Sequence, residues 1–176
     1  SRIKLLNQAT DKAGEFFQQL HAHLFSYIAL RIPEISDEIY RVDDAMKAGF
    51  GWEIGAFETW DLLGIEAIIQ TIEKHDLPVA PWVKEMVAAG NSQFYKIDNG
   101  QRYCYDPASK NYKPLPGGSE YLLLSHRSDK LVWKNASCKL VDLGDEVLGL
   151  QWNTKMGSIG GDVLAGIQTA IEKAEA

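Results

Sequence analysis

Residues 42–64 read VDDAMKAGFGWEIGAFETWDLLG, and this stretch decides how the first half of the chain folds. Apolar residues recur at helical spacing up to Gly49 and Gly51, which predicts a helix that ends at these glycines. The predicted buried stripe of this helix consists of Ile39, Val42, Ala45 and Met46. A second helix is predicted from Gly55 to Leu63, with Gly64 as its end. Such short connections are typical of a compact helical bundle.

Helical spacing extends on both sides of this stretch. Before it, one long helix is predicted to end at Pro33, because proline lacks the amide proton that a helix needs. Its apolar positions are Ile3, Leu6, Ala13, Phe16, Phe17, Leu20, Leu24 and Ile28. Ser36 is the expected N-cap of the next helix. Further helices are predicted from Ile65 to His75 and from Pro81 to Gly90, so residues 1–92 are expected to form a helical domain.

The pattern changes after these helices. Asn99 and Gly100 lie between two aromatic runs, which predicts a β-hairpin because both residues tolerate the positive φ angles of a tight turn. Residues 114–118 have loop composition, and residues 120–132 are predicted as a helix or an extended linker. We therefore interpret residues 93–133 as a β-hairpin appendage and a linker.

A second β unit is predicted near the end of the chain. Strands at residues 140–143 and 147–152 flank Gly144-Asp145, and a helix is predicted after Gly157-Ser158. The expected apolar face of this helix consists of Ile159, Val163, Leu164, Ile167, Ala170 and Ile171. One hairpin and one helix cannot bury such a face alone, so residues 134–176 are expected to open a domain that continues further.

Composition limits the classes of function. The chain has 18 Lys and Arg against 24 Asp and Glu, a net charge of −6, which argues against nucleic acid or an anionic membrane as the main partner. We find no apolar run long enough to span a bilayer, and we expect a cytoplasmic protein with Cys104 and Cys138 reduced. The start at Ser1 favours a segment cut from a longer protein.

Two carboxylates are the strongest candidates for a catalytic role. Glu58 and Asp61 share a predicted helix face beside tryptophans, and a carboxylate in such surroundings can have a raised pKa and act as an acid. The alternative is structural: either residue could cap a neighbouring helix terminus, and we favour this interpretation.

Other candidates carry weaker signals. His21 and His23 are two residues apart on a predicted helix, so they do not face one another as a metal pair would. The glycine-rich residues 157–161 precede a helix, where amides can hold phosphate, but their spacing matches no phosphate-binding motif. From these patterns we predict no catalytic residue, no cofactor-binding residue and no metal site in the chain.

The stretch at residues 42–64 resembles the signature of the 3-hydroxyacyl-CoA dehydrogenase C-terminal domain. Ala56 stands where that family usually has proline. The resemblance implies a mainly α fold, a helical bundle like the C-terminal domain of 6-phosphogluconate dehydrogenase. It gives structural roles to the motif positions, which are Asp43, Gly49, Gly51, Gly55, Phe57, Glu58, Asp61 and Gly64.

The end of the chain resembles another family. Residues 136–152 and the helix after them are similar to the opening strands and first helix of crotonase-type enoyl-CoA hydratases, with Gly157-Ser158 in place of an Asn-Ala step. The order of the two parts resembles bifunctional fatty-acid β-oxidation proteins. Some of these carry two tandem dehydrogenase C-terminal domains, and residues 1–92 look like the second copy.

These resemblances imply that the chemistry lies outside the chain. NAD and a catalytic His–Glu pair would belong to an upstream Rossmann domain, with acyl-CoA as the substrate of the parent protein. The chain would be an inactive scaffold that packs on the preceding dehydrogenase domains, and its last helix could also join two copies of the chain. The alternative is a stand-alone dimerisation or protein-interaction module without CoA chemistry.

Overall fold

The computed structural model describes residues 2–117 and 123–175, which contain seven α-helices and two three-stranded sheets. Contacts divide the chain into a first unit, residues 1–96 and 102–115, and a second unit, residues 97–101 and 116–176. The predicted class, mainly helical with small β parts, is confirmed. The specific likeness to the 6-phosphogluconate dehydrogenase bundle stays a prediction, as do the three functional domains with limits at residues 92 and 133.

Among the described residues, the first unit has six helices. They are α1 (Arg2–Gln8), α2 (Lys12–Leu30), α3 (Ile39–Phe50), α4 (Ala56–Leu63), α5 (Ile65–Lys74) and α6 (Pro81–Ala88). The helices α4, α5 and α6 confirm the predicted ones to within two residues. Pro81 opens α6, where its missing amide proton costs nothing, and the left-handed Gly64 (φ 96°) separates α4 from α5.

The predicted single helix before Pro33 is wrong, because the chain breaks it into α1 and α2. Asp11 caps α2 by accepting the amide proton of Gly14 at 2.9 Å. The carbonyl oxygen of Ala9 approaches so closely that a Cβ on Gly14 would lie 1.9 Å from it. Four predicted core positions are therefore exposed, namely Leu6, Ala13, Phe16 and Leu20. Ile28, another of the predicted positions, is buried, and Ala22, Phe25 and Ala29 complete the buried face of α2 with it.

The start of α3 also differs from the prediction. Its N-cap is Glu38 rather than Ser36, whose hydroxyl accepts the amide proton of Glu38 at 3.2 Å in a local turn. The helix ends at Gly51, in the left-handed conformation with φ 67°. Ala45, a predicted core residue, is exposed, and the buried positions of α3 are Ile39 and Asp43.

The predicted aromatic hairpin is confirmed and belongs to a larger sheet. It consists of β1 (Tyr95–Asp98) and β2 (Gln101–Asp106), and the turn residues Asn99 and Gly100 have φ angles of 49° and 78°. A third strand, β3 (Asn111–Pro114), pairs antiparallel with β2 and was not predicted. The base of this sheet contributes buried side chains to the helical core, which explains why it joins the first unit.

Aromatic side chains form the centre of the first unit. Trp60 is fully buried, with its ring 5.2 Å from the rings of both Phe25 and Phe94. Phe57 packs edge-on against Phe94 at 5.1 Å. Aromatic pairs at these distances add to the stabilisation from burial, so α2, α4 and the residue just before β1 meet around one cluster.

The second unit is a three-stranded sheet with one helix. Its strands are β4 (Leu131–Lys134), β5 (Cys138–Gly144) and β6 (Val147–Trp152), and α7 (Gly161–Ala174) packs on β5 and β6. The hairpin of β5 and β6 was predicted, whereas β4 lies in the predicted linker. Residues 124–126 and 128–130 of that linker form short 3₁₀ helices, and residues 118–122 lie outside the described part of the chain.

The predicted apolar face of α7 is only partly buried. Val163 and Gly166 face the sheet, and a Cβ on Gly166 would lie 3.0 Å from the Sγ of Cys138. Leu164 is 60% exposed and Ile171 is 49% exposed. Two sides of this helix are therefore apolar, and the sheet covers one of them.

Candidate functional site

Three carboxylates of the 42–64 stretch gather around the start of α4. Asp43 comes from α3, and Glu58 and Asp61 come from α4. Each accepts hydrogen bonds from backbone amides, so each has a definite structural partner.

Asp43 caps the first turn of α4 from outside that helix. Its carboxylate accepts the amide protons of Phe57 at 2.8 Å and Glu58 at 3.0 Å, and the hydroxyl of Tyr95 donates to it at 2.7 Å. The side chain is almost completely buried, with 1% of the residue exposed. The first amides of a helix lack partners within that helix, and Asp43 supplies them.

Glu58 caps the same helix start with one oxygen and forms ion pairs with the other. One oxygen accepts the amide proton of Gly55 at 2.7 Å. The other oxygen accepts from Arg102 at 2.7 Å and from Lys47 at 3.3 Å. Glu58 therefore ties the start of α4 to both α3 and β2.

Asp61 holds the first strand of the hairpin. Its carboxylate accepts the amide protons of Phe94 at 2.7 Å and Tyr95 at 2.9 Å. The two amides belong to consecutive residues, so a single side chain fixes the register at which β1 leaves the helical core.

Burial and hydrogen bonding act in opposite directions on these groups. Burial raises the pKa of Asp43 to about 6 and that of Asp61 to about 7. The hydrogen bonds that these carboxylates accept stabilise the ionised forms and lower the pKa, but they do not outweigh burial. For Glu58, burial acts to raise the pKa, but the Gly55 amide and the Arg102 guanidinium outweigh it, and the pKa is lowered. Burial also raises the pKa of Tyr95, which stays a hydrogen donor to Asp43.

The glycines of the motif have distinct roles. Gly51 ends α3 and Gly64 separates α4 from α5, both with positive φ, which glycine adopts without strain. Gly55 is the N-cap of α4, and a Cβ there would lie 2.3 Å from the Cβ of Asp43. Gly49 lies within the last turn of α3, and no described atom beyond its own stretch of helix comes within 4 Å of a Cβ built on it.

The geometry favours the structural interpretation of Glu58 and Asp61. The oxygens of both carboxylates are engaged by amides or cations inside the first unit. Three of the partners, Lys47, Tyr95 and Arg102, were not predicted from the sequence. Arg102 follows Glu58 by 44 positions, and sequence spacing gives no signal for a contact at that separation.

The other candidates are not brought together. His21 is buried and His23 is exposed on α2. Residues 2–117 and 123–175 contain no group of three or more His, Cys, Asp and Glu side chains that could hold a metal ion. The start of α7 carries Asp162, whose carboxylate accepts the hydroxyl of Ser137 at 3.0 Å, and this negative charge disfavours phosphate there.

Away from the carboxylates, the first unit contains a cavity of about 870 Å³ between α1, α2, α4 and the connection from α3 to α4. Its walls are mainly apolar, with side chains such as Ile3, Leu24 and Leu62. The polar residues on it are Arg2, His21, Glu53 and Thr59. Sequence patterns gave no sign of this cavity, because it depends on α1 folding back along α2.

No helix in the described part of the chain is long and apolar enough to cross a membrane.

Comparisons with known proteins find relatives along nearly the whole chain. A protein of Bacillus subtilis (strain 168) named as a 3-hydroxyacyl-CoA dehydrogenase is 32% identical over 177 residues, covering 99% of this chain and 22% of that relative. A protein of Rickettsia felis named as a fatty acid oxidation complex trifunctional enzyme is 26% identical over 162 residues, covering 92% of this chain and 20% of the relative. The chain thus spans about a fifth of the length of these relatives. No family model matches it, and no solved structure matches it significantly.

Proposed function

We propose that this chain is a structural part of a 3-hydroxyacyl-CoA dehydrogenase of fatty-acid oxidation. The observation that carries the proposal is the match to the Bacillus subtilis relative across 99% of the chain, at 32% identity. The match includes residues 42–64, and the sequence of this stretch also resembles the signature of that enzyme family. The parent protein would oxidise a 3-hydroxyacyl-CoA with NAD.

The chain's own role would be that of a scaffold. The carboxylates of the motif are occupied by backbone amides and by Arg102 and Lys47, so none is left to address a substrate. Asp43 accepts two amide protons at the start of α4, and this is a role in stabilising the fold. We therefore place the chemistry in other parts of the parent protein.

NAD does not fit the described part of this chain. Dinucleotides bind at the carboxyl edge of a parallel sheet, with the pyrophosphate on a glycine-rich helix start. Here β2 pairs antiparallel with β3, and β5 pairs antiparallel with β4 and β6. The cofactor would therefore bind elsewhere in the parent protein.

Residues 134–176 would begin an enoyl-CoA hydratase domain. The hairpin of β5 and β6 followed by α7 supports the proposal, because this is the order that the resemblance requires. The exposed Leu164 and Ile171 would then pack on later parts of that domain.

The same exposed side of α7 favours the second candidate, a dimerisation module. Leu164 and Ile171 are seven residues apart and share one helix face. Sedimentation analysis of the chain separates the candidates when combined with activity of the parent protein. The module would be favoured by two results together: the chain is a dimer that dissociates in Leu164→Glu, and the parent protein has no dehydrogenase activity.

The proposal is tested on the full-length protein that contains this chain. We expect it to reduce NAD with (S)-3-hydroxybutyryl-CoA. Glu58→Gln should lower its melting temperature, because the variant loses the charge that pairs with Arg102 and Lys47. Its kcat per folded molecule should stay unchanged. Asp44→Asn, at an exposed ion pair with Lys47, is the matched control and should change neither quantity.

Two results would contradict the proposal. Absence of dehydrogenase activity in the full-length protein would remove the enzyme assignment. A loss of kcat in Glu58→Gln without a lower melting temperature would instead assign chemistry to this carboxylate, and the chain would be more than a scaffold.

A further inference from the structure

The cavity of about 870 Å³ in the first unit has the size and lining of a small-molecule site. Such sites enclose about 300–1,000 Å³ and combine mainly apolar walls with a few placed polar groups. Ile3, Leu24 and Leu62 supply apolar wall here, and His21 supplies a polar group. The carboxylates of Asp43, Glu58 and Asp61 do not line it, although Glu53, Thr59 and Leu62 come from the same stretch at residues 42–64.

His21 is held in one orientation and one tautomer. Its Nδ1 lies 2.9 Å from the side-chain oxygen of Asn7, and an amide oxygen can only accept, so Nδ1 carries the proton. The ring stacks on Phe25 at 5.3 Å with an angle of 2° between the planes. Burial lowers the pKa of His21, which keeps the ring neutral. The nitrogen that remains for a ligand is Nε2, with a lone pair that accepts.

Of the other polar residues on the wall, Thr59 has the same acceptor character as His21. The hydroxyl of Thr59 donates its proton to the carbonyl of Gly55 at 2.7 Å, so this oxygen too can only accept from a ligand. Arg2 and Glu53 carry one charge of each sign and leave the wall neutral in sum. The complementary ligand is therefore neutral and apolar, with a hydrogen-bond donor.

We propose that this cavity binds an aliphatic molecule whose hydroxyl group donates a hydrogen bond to Nε2 of His21. The inference goes beyond the proposed function, since it concerns a second site and holds whichever domain carries the dehydrogenase chemistry. A free aliphatic alcohol and the hydroxylated chain of a fatty acid both have the required chemistry.

Two isomeric probes test the hydrogen bond directly. 1-Octanol and 1-methoxyheptane have the same atoms and nearly the same length, but only the alcohol can donate. Calorimetric titration of the chain should show 1-octanol binding about 2- to 10-fold more tightly, the range for one net hydrogen bond. The ¹⁵N signal of Nε2 in His21 should shift with the alcohol and not with the ether.

Two variants locate the effect. His21→Phe keeps an aromatic ring against Phe25 and removes the acceptor, so both probes should bind with equal affinity. Asn7 does not line the cavity, so Asn7→Ala leaves the wall unchanged and removes only the acceptor that holds the proton on Nδ1 of His21. This variant should reduce the preference for the alcohol over the ether without abolishing binding. The circular dichroism and melting of each variant are compared with the wild-type protein to establish that it folds.

The alternatives give distinct results. Equal binding of the two probes to the wild-type protein, no binding of either, or a preference that persists in His21→Phe would each overturn the proposal. Methyl 3-hydroxyoctanoate, which is neutral like 1-octanol, separates the two sources: tighter binding than 1-octanol identifies a hydroxylated fatty acyl chain, and weaker binding identifies a free alcohol. None of these outcomes bears on NAD reduction by the parent protein.

Discussion

A Cβ atom on Gly55 would lie 2.3 Å from the Cβ of Asp43, far inside van der Waals contact. The φ angle of Gly55 is −77°, which any residue adopts, so the requirement for glycine comes from this close approach rather than from the backbone conformation. The missing side chain lets α3 lie against the start of α4. Asp43 can then reach the amides of Phe57 and Glu58.

Gly55→Ala should therefore destabilise the chain by about 1–3 kcal/mol, the usual cost of forcing extra volume into a packed site. Gly49→Ala is the matched control. Gly49 lies in the last turn of α3, where a new Cβ would meet no described atom within 4 Å beyond its own stretch of helix. Alanine is also more stable than glycine inside a helix, by about 0.5–1 kcal/mol. Urea denaturation measures both. Equal effects of the two variants would refute the close contact of Asp43 with Gly55.

Asp43→Asn should cost about 1–3 kcal/mol, because the side-chain NH₂ group would face an amide or hydroxyl donor and leave a buried group unsatisfied. Asp44→Asn changes the neighbouring residue, whose side chain is 63% exposed, and should stay within about 0.5 kcal/mol of the wild-type protein. The free energy of unfolding from urea denaturation is the measurement. Similar values for both variants would mean that Asp43 does not cap α4.

Sequence patterns predicted the helices α4 to α6 and the hairpin at Asn99, because glycine, proline and tight turns have strong local preferences. They failed for α1 and α2. The break at Asp11 is a local turn in which Ala9 closely approaches Gly14, five residues further along the chain. The helical spacing of apolar residues continues through the break and hides it.

The candidate site was predictable only in part. The stretch at residues 42–64 identified the carboxylates, and the helix-capping role was one of two interpretations. Tyr95 and Arg102 lie far along the chain from Asp43 and Glu58, so no spacing rule connects them. Likewise, Asp43 is followed on α3 by the exposed Asp44, and only the packing of α4 against Asp43 accounts for its burial.

The stability of the chain should depend on pH through Asp61. Burial raises its pKa from 3.8 to about 7 in the folded protein, so the folded state keeps a proton that the unfolded state has lost. The contribution of Asp61 to the free energy of unfolding is thus full at pH values below its unfolded pKa. It falls as pH rises to about 7.

Asp61→Asn removes this titration. All other acidic groups are present in both proteins, so their contributions cancel in the comparison. The stability of the wild-type protein relative to Asp61→Asn should therefore decrease between pH 4 and pH 7, as measured by urea denaturation at several pH values. A relative stability that increases over this range would mean that the Phe94 and Tyr95 amides hold Asp61 ionised and that its pKa lies below the ordinary value.

The scaffold role is tested most directly by the melting temperature of this chain with and without acetoacetyl-CoA and NAD. A ligand at about 100 times its dissociation constant stabilises a native protein by roughly 2.7 kcal/mol, which raises the melting temperature by about 5–10 °C for a chain of this size. We predict no shift with either ligand, because the motif carboxylates are engaged within the fold and NAD does not fit its sheets. A clear shift with acetoacetyl-CoA or NAD would contradict the scaffold role and place a substrate or cofactor site in this chain.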